Sequence, residues 1–390
     1  MKLLFVHDVK AVIYGDHVFA RSYGYSIWKE RYLNVFEKAT ILTRNYQADK
    51  DMMGKIDLLS GENIRYDDRI GMFKGPDIFF NRRAWNIVKE DVKKSDFVIC
   101  RLDSFLGLMA IEVCRKSGKP YLIEVAGCAW DSFWNHGMAG KIIAPAMFIM
   151  TRRAIKKSKY VIYVTKSFLQ SRYPTKGNQI NVSNVKLYHN TANILQQRIE
   201  KISHTDFNQK IIIGTAANVD VKYKGQQYVI RALGILKKLG YNQFEYQLPG
   251  AGDNRFLLEE ARKCGVEEDV VFLGSLTHEK MMEWYQTIDL YIQPSLQEGL
   301  PRSVIEAMSY ALPCMGTNVA GIPELLEEDC LLDKKRIVNA LVESLQLIRR
   351  EKFIEEAKRN FEKAKLYDFD ILNERRKKFF EAAIAEQCKE

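Results

Sequence analysis

The sequence predicts an α/β protein made of two doubly wound, Rossmann-like parallel sheets that face a central cleft. Three observations predict it. At 390 residues the chain exceeds what one hydrophobic core usually supports, so two domains are expected. Short apolar strand signals alternate with helical signals along the whole length, the pattern of parallel sheets covered on both faces. Near the middle, the Pro-, Gly- and Asn-rich stretch 174-PTKGNQINVSNVKLYHNTA-192 has little periodicity and reads as a junction. The expected units are an N-terminal domain at 1–185, a C-terminal domain at 186–365, and a last helix at 366–390 that crosses back to the first domain.

In the first half the strands read LLFVHD, KATILTR, DFVICRLD, KPYLIEVAG and KYVIYVT, with helices between. The second half is clearer. Strand KIIIG (210–214) precedes a helix from about Gln226 that stops at Gly240, and FEYQLPG follows. A helix from about Asn254 to Cys264 stops at Gly265, and VVFLG (270–274) leads to a helix opened by Thr277 as N-cap. IDLYIQPS then leads into 298-EGLPRSVIEAM-308, where Pro301 suits a first helical turn. A short strand PCMG (313–316) precedes a Gly-containing loop and a further helix at Pro323.

Composition is that of an ordinary globular chain, 47% apolar and 28% charged. The N-terminus reaches His7 and Asp8 after a few apolar residues, too soon for a signal peptide, and reads as a buried strand. Seven scattered cysteines with no CxxC pair point to free thiols in a reducing cytoplasm and away from a structural zinc. Charge is one-sided. Residues 1–200 carry 32 Lys+Arg against 19 Asp+Glu (+13), and residues 201–390 carry 27 against 30 (−3), together the +10 of the chain. A basic half of this kind suggests an anionic partner. No nucleic-acid module or base-stacking strand pair is recognisable, so nucleic acid ranks last. In 141-KIIAPAMFIMTRRAIKKSKY-160 an apolar run is followed by Arg152, Arg153, Lys156, Lys157 and Lys159. It is too short to span a bilayer, and reads equally as an interfacial helix with a basic flank or as a core helix with a solvated end.

Four strand-to-helix turns of the second half carry ligand-binding chemistry. In 248-LPGAGDNR-255 small residues around Gly252 admit a ligand close to the backbone. In 297-QEGLPRSVIE-306 the N–H groups about Gly299 and Leu300 open a helix and form an anion site. Gly316 and Gly321 bracket a third loop, and Lys222 and Lys224 flank a fourth, 214-GTAANVDVKYKGQ-226, where a cation can meet a phosphate. Singly each turn is a weak signal; together they point to a nucleotide or sugar phosphate. Glu306 stands among Val304, Ile305, Ala307 and Met308. Helical side chains lean toward the N-terminus, so its carboxylate is expected to reach the ligand and accept from a ribose diol. Glu298, before the turn, falls where a reacting sugar would lie.

These motifs resemble the retaining glycosyltransferases of the GT-B fold known as glycosyltransferase family 4, or group 1. Their Glu-x7-Glu signature is matched by Glu298 to Glu306, followed by AMSYALP and GTNVAGIPEL, and GAGDNR, VVFLGSLTHEKMMEWYQTIDLYIQPS and Lys224-Gly225 stand in the family's order. The likeness is good over about 160–330 and only in outline before that. It implies a nucleotide-sugar donor, a UDP-hexose by family habit, held by the C-terminal domain. Glu306 would hold the ribose, Lys224 the diphosphate, and Gly299, Leu300 and Pro301, with Arg302 next in the motif, the phosphates or sugar. Glu298 would face the transferred sugar. Retention of configuration and independence of a metal cofactor follow from the same resemblance.

The chain also departs from that pattern. The first phosphate loop usually carries an Arg six positions before the lysine, and here Asn218 stands there, with Lys222 a possible substitute charge. The family histidine after YLIEVAG is missing, which leaves Glu124, Asp131 or His136 to face the donor sugar. The double-glycine loop after the first strand is replaced by 14-YGDHVFARSYGYS-26, so Asp16 and His17, with Arg101 and Asp103, are expected to meet the acceptor. The resulting expectation is a cytoplasmic hexosyltransferase, peripheral on the inner membrane face, that builds surface polysaccharide on a glycan or lipid-linked acceptor. A nucleotide-sugar epimerase on the same framework and a non-catalytic partner subunit are the alternatives.

Overall fold

The computed structural model describes all residues except 16, 21–23, 48–56, 60, 74, 136, 188–192 and 389–390. Two compact units are present, Met1–Val182 together with Leu372–Glu390, and Ser183–Ile371. Each is an α/β layer structure around its own sheet, all parallel in the second unit and parallel in the first apart from an antiparallel edge. No described helix is long and apolar enough to cross a membrane.

In the first unit the described strands are β1 (Lys2–Tyr14), β2 (His17–Ala20), β3 (Lys38–Gln47), β4 (Asp57–Leu58), β5 (Ile64–Asp67), β6 (Phe97–Leu102), β7 (Tyr121–Val125), β8 (Tyr160–Tyr163) and β9 (Asn178–Asn181). They form one sheet in which β1 pairs in parallel with β3 on one side and β6 on the other. The strand order thus reverses about β1, the mark of a doubly wound sheet. Every residue of β6 and β7 is buried, as central strands covered on both faces must be. The first strand does not end at Asp8. It continues to Tyr14 and pairs antiparallel with β2, Tyr14 opposite His17. The β-branched and aromatic residues of VKAVIY and HVFA favour this ribbon where an open loop was expected.

The second unit contains β10 (Ile211–Gly214), β11 (Phe244–Pro249), β12 (Val270–Gly274), β13 (Leu290–Gln293), β14 (Cys314–Thr317) and β15 (Leu331–Leu332). Their order is β12-β11-β10-β13-β14-β15, all parallel, with the switch point between β10 and β13. Ile211, Ile213, Tyr246, Leu248 and Ile292 face a core closed by Val229, Ile230 and Leu233 of the helix Gln226–Lys238 and by Leu341 and Phe353. The helix Arg255–Cys264 stops at Gly265 in the left-handed region, φ 71°. The Thr277 side chain caps the helix His278–Thr287 by accepting from the Lys280 N–H. At Pro323 the expected helix is a single 3-10 turn, Ile322–Glu324, because a second turn at Glu328–Cys330 follows before an α-helical ladder can extend. Likewise Pro301 is the N-cap, and the helix runs Arg302–Ser309.

Candidate active site

The site is assembled at the carboxyl ends of β10, β13 and β14, where an open parallel sheet places its ligands. Gly225 makes it possible. Its φ is +83°, and a Cβ there would fall 1.9 Å from the Pro294 carbonyl oxygen, so only glycine lets the loop after β10 press against the end of β13. The Leu296 N–H donates to the Tyr223 carbonyl across the same contact, 2.8 Å. This brings Lys224 Nζ to 2.7 Å from Glu298 Oε1.

Glu298 is held by more than the lysine. Its Oε1 also accepts from Ser295 Oγ at 2.8 Å and from Gln293 Nε2 at 3.0 Å. Gln293 is in turn oriented by Tyr291 and Ser303, whose hydroxyls donate to its Oε1 at 2.8 and 3.2 Å. Among the described residues no donor reaches Glu298 Oε2. One carboxylate oxygen is therefore locked by three donors while the other is available, an arrangement suited to receiving a hydroxyl in a fixed direction. Gln293 and Ser295 were missed in the sequence, although a glutamine ending the otherwise apolar strand LYIQ was a usable signal.

Glu306 sits one and a half turns into its helix, and its Oε2 accepts from Tyr285 Oη at 3.0 Å. Burial first, then the adjacent Glu306 charge, pushes the Tyr285 hydroxyl well above its usual range, so it stays a donor at neutral pH. Tyr285 is stacked on Tyr310, ring centroids 5.8 Å apart. Buried Arg198 fastens the same helix end, donating to the carbonyls of Tyr285 and Ile288, each at 2.7 Å. The carboxylate is thus braced from behind, and Oε1 has no donor among the described residues.

Between the two glutamates the chain is pinned at Gly299, whose carbonyl accepts from the Gly321 N–H at 3.0 Å. A Cβ on Gly321 would lie 2.2 Å from that oxygen, which explains the glycine. Leu300 is buried beneath the turn and Arg302 is exposed. Pro301 has no side-chain acceptor to cap the first-turn N–H groups of Arg302–Ser309, a helix start whose chemistry can take an anion. Gly250 and Gly252 bring the loop after β11 against Ala217 and Asp220; Gly252 has φ +115°. Asn218 contributes its carbonyl, which accepts from Gln226 Nε2 at 3.2 Å. The Lys222 ammonium stands 4.4 Å from the Phe256 ring centroid, a cation–π contact.

Two comparisons decide the family. The chain is 33% identical over 387 residues to the Staphylococcus aureus protein named Protein CapJ, covering 96% of this chain and 94% of that one. Residues 210–349 match the family model described as glycosyl transferases group 1. The chain belongs to the group 1 glycosyl transferases. Another relative is the amylovoran biosynthesis glycosyltransferase AmsK of Erwinia amylovora, 36% identical over 113 residues, which covers 27% of this chain and 28% of that protein. Among solved structures, Anabaena HepE in complex with UDP-glucose superposes with a TM-score of 0.66 at 14% identity, over 98% of this chain and 100% of that one. The two-sheet α/β fold of this group 1 glycosyl transferase is the GT-B fold of such enzymes.

The matched segment of the transferase contains Lys224, Tyr285, Gln293, Glu298 and Glu306. The first unit places the residues anticipated there as follows. Arg101 and Glu124 are register partners on β6 and β7. Arg101 Nη1 lies 3.3 Å from the Glu124 carboxylate, which also accepts from Tyr32 Oη at 3.1 and 3.2 Å, and both side chains are buried. Arg101, expected at the acceptor, and Glu124, expected at the donor sugar, are thus each other's ion-pair partners. Two charges on neighbouring central strands are stable there because they neutralise each other. Asp131 is half-buried with Arg172 at 3.9 Å. Asp103 is partly exposed, and its Oδ1 lies 3.2 Å from where a Cβ on Gly127 would stand. His17 is exposed on β2. Asp16 and His136 lie outside the described residues.

Proposed function

We propose that this glycosyltransferase moves a hexose-type sugar, with retention at the anomeric carbon, from a nucleotide sugar to a glycan or lipid-linked acceptor in surface polysaccharide synthesis. The observation that carries the reading is Glu298 held on one oxygen by Lys224, Ser295 and Gln293, eight residues before a braced Glu306. The UDP-glucose complex of HepE supports a UDP-sugar donor. In this reading Glu306 accepts from the ribose hydroxyls, and the first-turn N–H groups of Arg302–Ser309 take phosphate oxygens. Lys224 exchanges part of its contact with Glu298 for the diphosphate, and Glu298 Oε2 receives a hydroxyl of the sugar.

The bond between the anomeric carbon and the diphosphate oxygen breaks, and a bond from the acceptor oxygen to that carbon forms. The acceptor proton passes to the departing phosphate oxygen. Negative charge grows on the diphosphate, so a fixed ammonium and aligned N–H groups favour the transition state more than the ground state. Positive charge grows on the sugar ring, where the Glu298 carboxylate opposes it. A cation and N–H groups in place suffice for the leaving group, and the reaction is proposed to run without a metal cofactor.

The test follows release of UDP from UDP-hexoses by the full chain, with a total lipid extract as acceptor and excess EDTA present. Proton NMR reads the anomeric configuration of the first product. Turnover with retained configuration supports the reading. Inversion, loss of turnover in EDTA that added metal restores, or donor consumption by epimerisation alone contradicts it.

A further inference from the structure

The helix Gly137–Lys156 in the first unit has a face that the fold does not cover. Gly140, Ala144, Met147, Thr151, Ala154 and Ile155 are buried, which accounts for one side of the helix. On the other side Met138 is 75% exposed, Ile142 78% and Ile149 50%, in one line along three turns. Large aliphatic side chains exposed in register are not the solvated back of a core helix. Just before it, Trp134 is also exposed and stacks on Trp130, centroids 5.1 Å apart, with Lys141 Nζ 5.7 Å from its ring.

Charge accompanies this face. Between Asp131 and Glu200 the sequence has no acidic residue, and it carries 11 Lys and Arg in those 68 positions. Arg152, Arg153 and Lys156 continue the exposed face at the carboxyl end of the helix, with Lys157 and Lys159 beside them. There the helix borders a groove of about 450 Å³ whose mainly apolar lining, which includes Phe79, carries Arg115, Arg153 and Lys157 against one carboxylate, Glu112. Phe80, 87% exposed, stands next to Phe79 in the chain. A mainly apolar groove with a net positive lining continues the pattern of the helix.

We propose that this face lies in the surface of an anionic bilayer, with Ile142 and Ile149 among the acyl chains, Trp134 at the headgroup level and the basic end on the headgroups. Apolar area and positive charge on one helix are what interfacial binding requires. Trp at such a boundary keeps its ring in the headgroup region. Charge selects the bilayer over a second copy of the chain, whose matching helix brings further cations and no carboxylate of its own. The inference concerns the first unit alone and does not depend on the donor bound by the second.

The experiment is flotation of the full chain with vesicles of phosphatidylcholine, or of phosphatidylcholine with about a third phosphatidylglycerol, in low and high salt. Binding is expected to the anionic vesicles, weaker in high salt. Ile142→Ser with Ile149→Ser should lower vesicle affinity about tenfold per residue. Arg152→Ser, Arg153→Ser and Lys156→Ser should each cost about fivefold. Thermal melting and nucleotide binding confirm that each variant is folded. Absence of binding by the wild type, or equal binding by folded variants, overturns the proposal. So does light scattering that shows a wild-type dimer which the Ile142→Ser, Ile149→Ser variant breaks, since the face is then a subunit interface.

Discussion

Lys224 Nζ lies 2.7 Å from Glu298 Oε1, although 74 residues separate the two in the chain. The lysine side chain is 24% exposed and the glutamate 10%, so the pair is accessible from one side. A partly exposed pair of this kind contributes about 1 kcal/mol or less to stability. Charge-assisted contact with a diphosphate is worth roughly 1.5–3 kcal/mol. Lys224→Ala is therefore expected to lower nucleotide affinity about 10- to 100-fold by calorimetry, with little change in Tm. A large loss of Tm with unchanged affinity contradicts this role.

Glu298→Gln keeps the shape of the side chain and removes the charge. We predict that kcat falls about 10²- to 10³-fold, the size of effect seen when one group opposing transition-state charge is lost. The dissociation constant for the nucleotide without its sugar should change by less than about threefold. Equal losses in both quantities would make Glu298 a binding residue only.

Gly225→Ala places a Cβ against the Pro294 carbonyl in a backbone region that L residues avoid. The expected cost is roughly 2–4 kcal/mol in denaturant unfolding. Nucleotide binding should weaken as well, because the loop that carries Lys224 must shift. A variant as stable as the wild type would show that the close approach of the two loops is not needed.

Glu356 is 1% exposed, and its carboxylate has Lys352 Nζ 3.9 Å away. Burial pushes its carboxyl above the ordinary value of 4.5, against the pull of Lys352 and Arg359. A carboxyl raised on folding favours the folded state below the unfolded pKa, and that contribution is lost as pH rises through the folded value. Glu356→Gln should thus melt higher than the wild type at pH 8, with the difference disappearing toward about pH 4. A variant that melts lower at every pH contradicts this.

Legibility in the sequence differed between the units for physical reasons. In the second, short strands and helices carry local punctuation, such as Thr277 as N-cap and Gly265 as stop, that acts within a few residues. The Glu298 and Glu306 spacing is likewise local. What holds Glu298 depends on strand neighbours and on the close approach allowed by Gly225, which no local pattern records. In the first unit β1 has three sheet partners, and its extension into a ribbon is a tertiary choice. Arg101 and Glu124 were candidates because the family's histidine and double-glycine loop are missing from this half. Their being side by side on β6 and β7 appears only once the strand order is known. For the helix Gly137–Lys156 the periodicity fitted both core and interface, and the exposure of Met138, Ile142 and Ile149 is a tertiary fact that periodicity does not record.

The most direct measurement is the calorimetric affinity of the wild type and of Glu306→Ala for UDP, GDP, ADP and CMP and their sugars, in EDTA. The account predicts that one nucleotide binds the wild type, that binding survives EDTA, and that Glu306→Ala weakens it by about tenfold or more through loss of a half-buried, braced acceptor for the ribose. If no nucleotide binds, or if Glu306→Ala binds as the wild type does, the braced carboxylate beside Tyr285 is not a donor site and the account fails.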